Sequence, residues 1–264
     1  MSVDNAVRDQ LGTRIAYVTP GPMHLTSLGE AELERRQAKL AGWTAPGTTV
    51  TVRPVQCGPA SIESMYEEYV SVAPTGALLH EIQSENVHAA IVGCFGDPGL
   101  DGLREVTDML VVGPGGASIA LATTLGHRFS VVTVTASIVA GIRRMVWEAG
   151  ALDNLASIRY IETSVLAVNE DPDAALDRML VEARAALDED GADTLVLGCM
   201  SMGFLDVAEQ MTAALGVPVI NPAKAALKLA EATVSLGLTH SRRAYHRPPK
   251  LVDGAKPEEL FIGR

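Results

Sequence analysis

The sequence is short of positive charge: 21 Lys and Arg stand against 32 Asp and Glu, a formal net charge of −11. A broad electrostatic grip on phosphate backbones or anionic lipid needs the opposite balance, so no nucleic acid or membrane partner is expected. Cysteine is scarce as well. Three residues, Cys57, Cys94 and Cys199, are too few and too scattered for a disulfide framework or a zinc cluster, which points to a reducing compartment. No apolar run approaches the roughly 18 residues of a membrane span. Residues 1 to 13 carry Asp4, Arg8 and Asp9 where a secretion signal needs an apolar stretch. The expectation is a soluble, cytoplasmic protein. The six histidines (His24, His80, His88, His127, His240 and His246) show no metal spacing such as HExxH, so no metal is assigned. GPGGAS at 113–118 matches neither GxxxxGK[ST] nor GxGxxG, and reads as a tight βα turn rather than a phosphate loop.

What is present is a core-forming composition, 47% hydrophobic and 20% charged over 264 residues, enough for one large domain or two small ones. Short β-branched apolar runs at 14–19, 48–55, 89–95 and 109–113 alternate with helix-length segments. The series then starts again at 128–134, 157–164, 194–199 and 217–221. Arg14 and Arg128, Cys94 and Cys199, Pro114 and Pro222, and Gly126 and Gly237 pair at separations of 105 to 114 residues, so two halves share one plan.

The segments between carry helix signals. Asp171 before Pro172 reads as an N-cap and first turn, Leu176, Leu180, Ala183 and Leu187 share a face, and Gly191 ends the run. Ser137 stands before Ile138, Ile142, Met145 and Val146, and Gly150 follows; Asn221 with Pro222 opens a helix that Gly237 closes. Ser27 and Glu30 have capping-box spacing. Strands alternating with amphipathic helices imply parallel sheets covered on both faces. The expected fold is therefore α/β with two similar lobes, each a four-stranded parallel sheet flanked by helices. A pseudo-twofold relates them, and the active site lies in the cleft between. The expected boundaries are 1–117 for the first lobe and 118–221 for the second, with 222–264 packed back on the first.

Cys94 and Cys199 fall at equivalent strand ends, in IVGC followed by FGD and LVLGC followed by MSM. One such cysteine alone reads as a small buried hydrophobe. A matched pair facing across a cleft instead supplies a base on one side of a carbon and an acid on the other. A thiol suits both roles because its reference pKa of about 8.5 lies near neutrality. The residues that follow, Phe95 and Gly96 in one half and Met200 and Ser201 in the other, offer amides for the charge that develops on a neighbouring carbonyl. An ordinary βα turn also explains them. Asp97 with Pro98 reads as an N-cap and first turn.

The strings VGCFGDPGL at 92–100, LGCMSMG at 197–203, GPASIESMYEE at 58–68, HRFSVVT at 127–133, GVPVI at 216–220 and LGLTHSRRAY at 236–245 resemble the hydantoin racemase branch of the aspartate/glutamate racemase superfamily, over nearly the whole chain. The resemblance implies a two-lobed α/β fold, racemisation by two cysteines without cofactor, and frequent homo-oligomers. It implies 5-substituted hydantoins or related cyclic ureides such as allantoin as substrates. The catalytic pair carries over to Cys94 and Cys199. Where the family commonly has Asn-Pro-Asn after the first strand, this chain has Thr19-Pro20-Gly21, and Gly116 stands near a position where relatives often carry Glu.

Thr19 and Thr133 end the first strand of each half and read as substrate hydroxyls or as plain strand residues; Thr135 lies just beyond. Cys57 has no counterpart in the second half and reads as structural. The basic run HSRRAYHRPPK at 240–250 reads as an exposed or inter-subunit arm. The expected activity is a cofactor-independent racemase or epimerase acting on a small molecule. Two rivals remain: a superfamily decarboxylase or cis–trans isomerase using one cysteine, and a non-enzymatic two-lobed binding protein.

Overall fold

The computed structural model describes residues 12–251 and 255–260. The stretch read for a secretion signal and the end of the 222–264 segment lie largely outside them. In the first half, β1 (Thr13–Thr19), β2 (Thr48–Pro54), β3 (Ala89–Val92) and β4 (Leu110–Val112) alternate with α1 (Gly29–Trp43), α2 (Met65–Ile82) and α3 (Leu100–Glu105). Helix α4 (Pro114–Leu125) leads to the second half, with β5 (Phe129–Thr133), α5 (Val139–Glu148), β6 (Leu155–Tyr160), α6 (Ala167–Glu170) and α7 (Pro172–Asp188). It continues with β7 (Thr194–Leu197), α8 (Met200–Leu205), α9 (Ala208–Leu215), β8 (Val219–Ile220) and α10 (Pro222–Ser235). The two sheets have the same order, β2-β1-β3-β4 and β6-β5-β7-β8, and every pairing is parallel. No helix among the described residues is long and apolar enough to cross a membrane.

Strand alternation sorts the first lobe's core into two layers. Ala16, Val18, Ala90 and Val92 face Leu79 and Ile82 of α2. Ile15, Tyr17 and Ile91 face the opposite way and meet Met200 and Phe204 of α8 and Ala223, Ala226, Leu227 and Ala230 of α10. Three alanines on one stripe let α10 approach the sheet closely. The last helix of the repeat thus covers the first lobe. The second lobe has its own continuous core around Val131, Val132, Val196 and Met179.

Several caps form as the sequence predicts: Asp171 accepts from the Ala174 amide at 3.0 Å, and Asn221 accepts from Ala223 and Lys224. Others differ. Helix α1 begins at Gly29 without a side-chain cap from Ser27 or Glu30. Ser137 lies inside a short 3-10 turn, where its hydroxyl donates to the Glu63 carbonyl and pairs with Thr135 Oγ1 at 2.9 Å. Asp97 does not cap α3, which starts after Gly99. It adopts a left-handed backbone, φ 50°, and turns its carboxylate to the amides of Gly115 and Gly116 at 2.9 and 2.7 Å. Those amides belong to the first turn of α4, where orphan N–H groups favour an anion.

The basic run after α10 does not stand free. Arg242 donates to the carbonyls of Arg104 and Thr107 and pairs with Asp108, while Arg104 reaches the Tyr245 hydroxyl at 2.9 Å. His240 Nε2 accepts the Val111 amide at 2.6 Å, on strand β4 at the edge of its sheet. Burial, with Arg104 and Arg242 nearby, pushes His240 down to about 4, so the ring is neutral and able to accept. This strap closes an edge that would otherwise be open to pairing.

Candidate active site

The carboxyl ends of β1, β3, β5 and β7 converge on one cleft of about 770 Å³, counting its open mouth. Cys94 and Cys199 both line it, one from each lobe. Each follows a glycine for the same steric reason. A Cβ at Gly93 would fall 2.6 Å from the Tyr17 hydroxyl, and one at Gly198 would fall 2.6 Å from Val131 and 2.9 Å from the Thr133 Cβ. A side chain of the central strand lies beneath each strand end, and only glycine lets the neighbouring strand run past it.

Thr19, Phe95, Gly96, Met200 and Ser201 also line the cleft. Thr19 is buried and donates to the Gly21 carbonyl at 3.1 Å. Thr133 and Thr135 are not among the lining residues. Thr133 donates to the Gly198 carbonyl at 2.9 Å, which fixes the strand end beneath Cys199, and Thr135 is engaged with Ser137. Cys57 is exposed rather than packed into a core. Among the described residues no group of three or more His, Cys, Asp or Glu side chains is arranged to hold a metal.

Two charged residues absent from the sequence reading line the cleft: Arg36 and Glu68. Arg36 lies on the inward stripe of α1 with Leu33 and Leu40 and is 2% exposed. Its Nε donates to Glu32 at 2.7 Å, its Nη2 to Ser201 Oγ at 3.2 Å, and its guanidinium lies 4.6 Å from the centre of the Phe204 ring. Glu32 is also gripped by Arg35 at 2.6 and 2.7 Å. One carboxylate between two guanidinium groups leaves a positive charge over. Burial works against the Glu32 anion, but the hydrogen bonds from Arg35 and Arg36 prevail and hold its pKa low.

Glu68 lies on the buried stripe of α2 with Ser71, Thr75, Leu79 and Ile82. Its carboxyl presses on the backbone of Gly96, where a Cβ would collide with Oε1. Burial raises the Glu68 pKa, eased only by Arg144. Asp97 is pushed up to about 7 by burial, against the pull of the Gly116 and Gly115 amides.

Burial raises both thiols, and their surroundings differ. At Cys94 the Gly96 amide favours the thiolate, while Glu68, Cys199 and Asp97 oppose it. At Cys199 the Met202 and Ser201 amides, the Arg36 charge and the Ser201 hydroxyl all favour it. Tyr17, buried beneath the site with no hydrogen-bond partner for its hydroxyl among the described residues, is held protonated by burial. Apolar side chains from both lobes complete the wall: Pro20, Met23, Leu28, Ala60 and Ile62 from the first, and Val134, Ile138, Ile142, Val165 and Leu166 from the second.

A duplicated parallel α/β fold that brings a thiol from each half to one cleft has the architecture of a racemase-type isomerase. The chain belongs to the Asp/Glu/hydantoin racemase family, whose description matches residues 29–230. It is 39% identical over 202 residues to a hydantoin racemase of Pseudomonas sp. (strain NS671), covering 76% of this chain and 80% of that one. It is 37% identical over 206 residues to a hydantoin racemase of Paenarthrobacter aurescens, covering 77% and 86%. Among solved structures, an allantoin racemase from Klebsiella pneumoniae superposes with a TM-score of 0.84 at 30% identity, covering 95% of this chain and 100% of that one. The protein is an enzyme of the isomerase class.

Proposed function

We propose that this enzyme racemises a cyclic ureide, a hydantoin carrying a hydrocarbon substituent at C5, by acid–base exchange between Cys94 and Cys199. The observation that carries the reading is the delivery of both sulfurs to one cleft from equivalent strand ends. One sulfur, as thiolate, removes the hydrogen α to the carbonyl, and the C–H electron pair moves into that carbonyl as an enolate. The other, as thiol, gives its proton to the opposite face. The product leaves with the two sulfurs' protonation states exchanged. Base and acid are both side chains, so the scheme calls for no cofactor. A cyclic ureide also spares the enzyme from forming an enolate beside a free carboxylate, which keeps the task within reach of a thiol.

The hydrocarbon wall of Val134, Ile138, Ile142, Val165 and Leu166 supports an apolar substituent. The ureido group of allantoin would bury unpaired N–H groups against it, at a cost of about 1–3 kcal/mol each. The test is polarimetry of single-enantiomer 5-isobutylhydantoin and allantoin with the purified protein, run in D2O so that α-hydrogen exchange is read by mass. The hydantoin is expected to lose optical rotation and gain deuterium, with a kcat/KM above that for allantoin. Cys94→Ser and Cys199→Ser are each expected to abolish racemisation in a folded protein. Full turnover in one of these variants would replace this reading with a one-cysteine decarboxylase or cis–trans isomerase, and binding without exchange would replace it with a ligand-binding protein.

A further inference from the structure

Glu67 and Glu68 are neighbours on the first turn of α2 and are used differently. Glu67 turns back to the start of its own helix, where its carboxylate accepts from the Glu63 amide at 2.7 Å and from Ser64 Oγ at 3.0 Å. Glu68 is 5% exposed and lines the cleft, yet its carboxyl has no hydrogen-bond or ion-pair partner among the described residues. We propose that Glu68 accepts a ring N–H of the substrate, the one on N1 beside the stereocentre, and so sets how the hydantoin ring lies in the cleft. This rests on the cyclic-ureide reading above and deepens it.

A carboxyl withdrawn from water without a donor is costly, and one held at the wall of a cleft is explained by a donor that arrives with the ligand. The groups around it do not fill that role. Arg144, whose charge bears on Glu68, donates to the Tyr69 hydroxyl at 3.3 Å and pairs with Glu148 at 3.6 Å. Asp97, the other acid nearby, is taken up by the amides of Gly115 and Gly116. Glycines from both lobes make room for the carboxyl: Oε1 presses on Gly96, and a Cβ at Gly141 of α5 would lie 3.7 Å from the same oxygen.

The choice of nitrogen follows from where the two charges stand. Gly96 is two residues from Cys94, so Glu68 lies on the loop of the sulfur that must meet C5. Arg36 serves the other loop, donating to Ser201 Oγ at 3.2 Å, two residues after Cys199. In the hydantoin ring C5 is bonded to N1, which carries hydrogen, and to C4, which carries oxygen. A carboxylate only accepts and a guanidinium only donates. With C5 between the sulfurs, N1–H falls to Glu68 and the C4 oxygen turns to the side of Arg36. N3 lies between the two carbonyls, away from C5, and is not called on.

Hydantoin without a C5 substituent tests this apart from turnover, because it has no stereocentre to invert. Its dissociation constant and those of 1-methylhydantoin and 3-methylhydantoin are read by calorimetry with the full chain at neutral pH. Hydantoin and 3-methylhydantoin are expected to bind within about threefold of each other, and 1-methylhydantoin about tenfold or more weakly. Glu68→Gln keeps the shape and an acceptor oxygen but removes the charge. It should weaken hydantoin and 3-methylhydantoin several-fold and leave 1-methylhydantoin unmoved, a pattern that a steric or structural role would not give. Glu68→Ala should erase the preference between the two methyl derivatives, and Glu68→Gln covers the case in which it does not fold. Equal binding of 1-methylhydantoin and 3-methylhydantoin to the natural sequence, or a hydantoin affinity unchanged in Glu68→Gln, overturns the proposal. Optical rotation of 5-isobutylhydantoin separates the two readings. This binding pattern without racemisation removes the racemase and keeps the subsite, whereas racemisation without the pattern removes only the subsite.

Discussion

The two lobes repeat each other in strand order and differ in what they give the cleft. Both lobes line the cleft with apolar side chains, but its two charged lining residues, Arg36 from α1 and Glu68 from α2, come from the first lobe. Duplication of a fold fixes where reactive atoms stand, because strand ends are set by hydrogen-bonded register. It does not fix what those atoms do, because helix stripes can change without disturbing the sheet. A symmetric scaffold thereby acquires a cleft whose charges lie on one side.

The largest test of this contrast is the pair of single-cysteine variants. Cys94→Ser and Cys199→Ser should each reduce racemisation about a thousandfold or more, yet each should still exchange the α-hydrogen of one enantiomer, and the two variants should favour opposite hands. Exchange of both hands by one variant would break the assignment of one sulfur to each face. Next is the hydrocarbon lining: Ile142→Thr should lower kcat/KM for 5-isobutylhydantoin on the order of tenfold and that for allantoin by less. An equal loss for both substrates would show that Ile142 does not read the substituent. Glu68→Gln, which removes a carboxyl group that opposes charge on Cys94, should speed iodoacetamide labelling of Cys94 several-fold at neutral pH and leave that of Cys199 unchanged.

The smallest effect is on stability. Asp97 ionises in the folded state only near pH 7, well above its unfolded value, so the native state holds its proton more tightly than the unfolded chain does. Its stabilising contribution is full below about pH 4 and is lost as pH rises through about 7. Subtracting the melting temperature of Asp97→Asn from that of the natural sequence, pH by pH, should give a difference that falls across this window. A flat difference would remove the assigned titration.

Much of the architecture was legible because it depends on short-range signals: β-branched runs, Asp171 with Pro172, and Asn221 with Pro222 each announce an element locally. The repeated Gly-Cys at two strand ends announced the cleft. Arg36 and Glu68 were not read because charged residues on amphipathic helices ordinarily mark the solvated face. The available signal was their phase: Arg36 falls three residues after Leu33 and four before Leu40, and Glu68 lies in register with Leu79 and Ile82. Asp97 was assigned to the wrong helix because a cap is recognised by sequence neighbours, whereas its partners at Gly115 and Gly116 are brought to it by the sheet. Thr133 matches Thr19 in sequence position, but its hydroxyl is consumed by the Gly198 carbonyl, a choice made by the neighbouring strand.

The placement of α10 sets an order of assembly. The inner layer of the first sheet, Ile15, Tyr17 and Ile91, is sealed by Ala223, Ala226 and Leu227, which the ribosome adds only after the whole second lobe. The half synthesised first is therefore the half completed last, and a nascent chain halted before residue 222 carries that apolar layer without its α10 cover, within reach of chaperones and of other nascent chains.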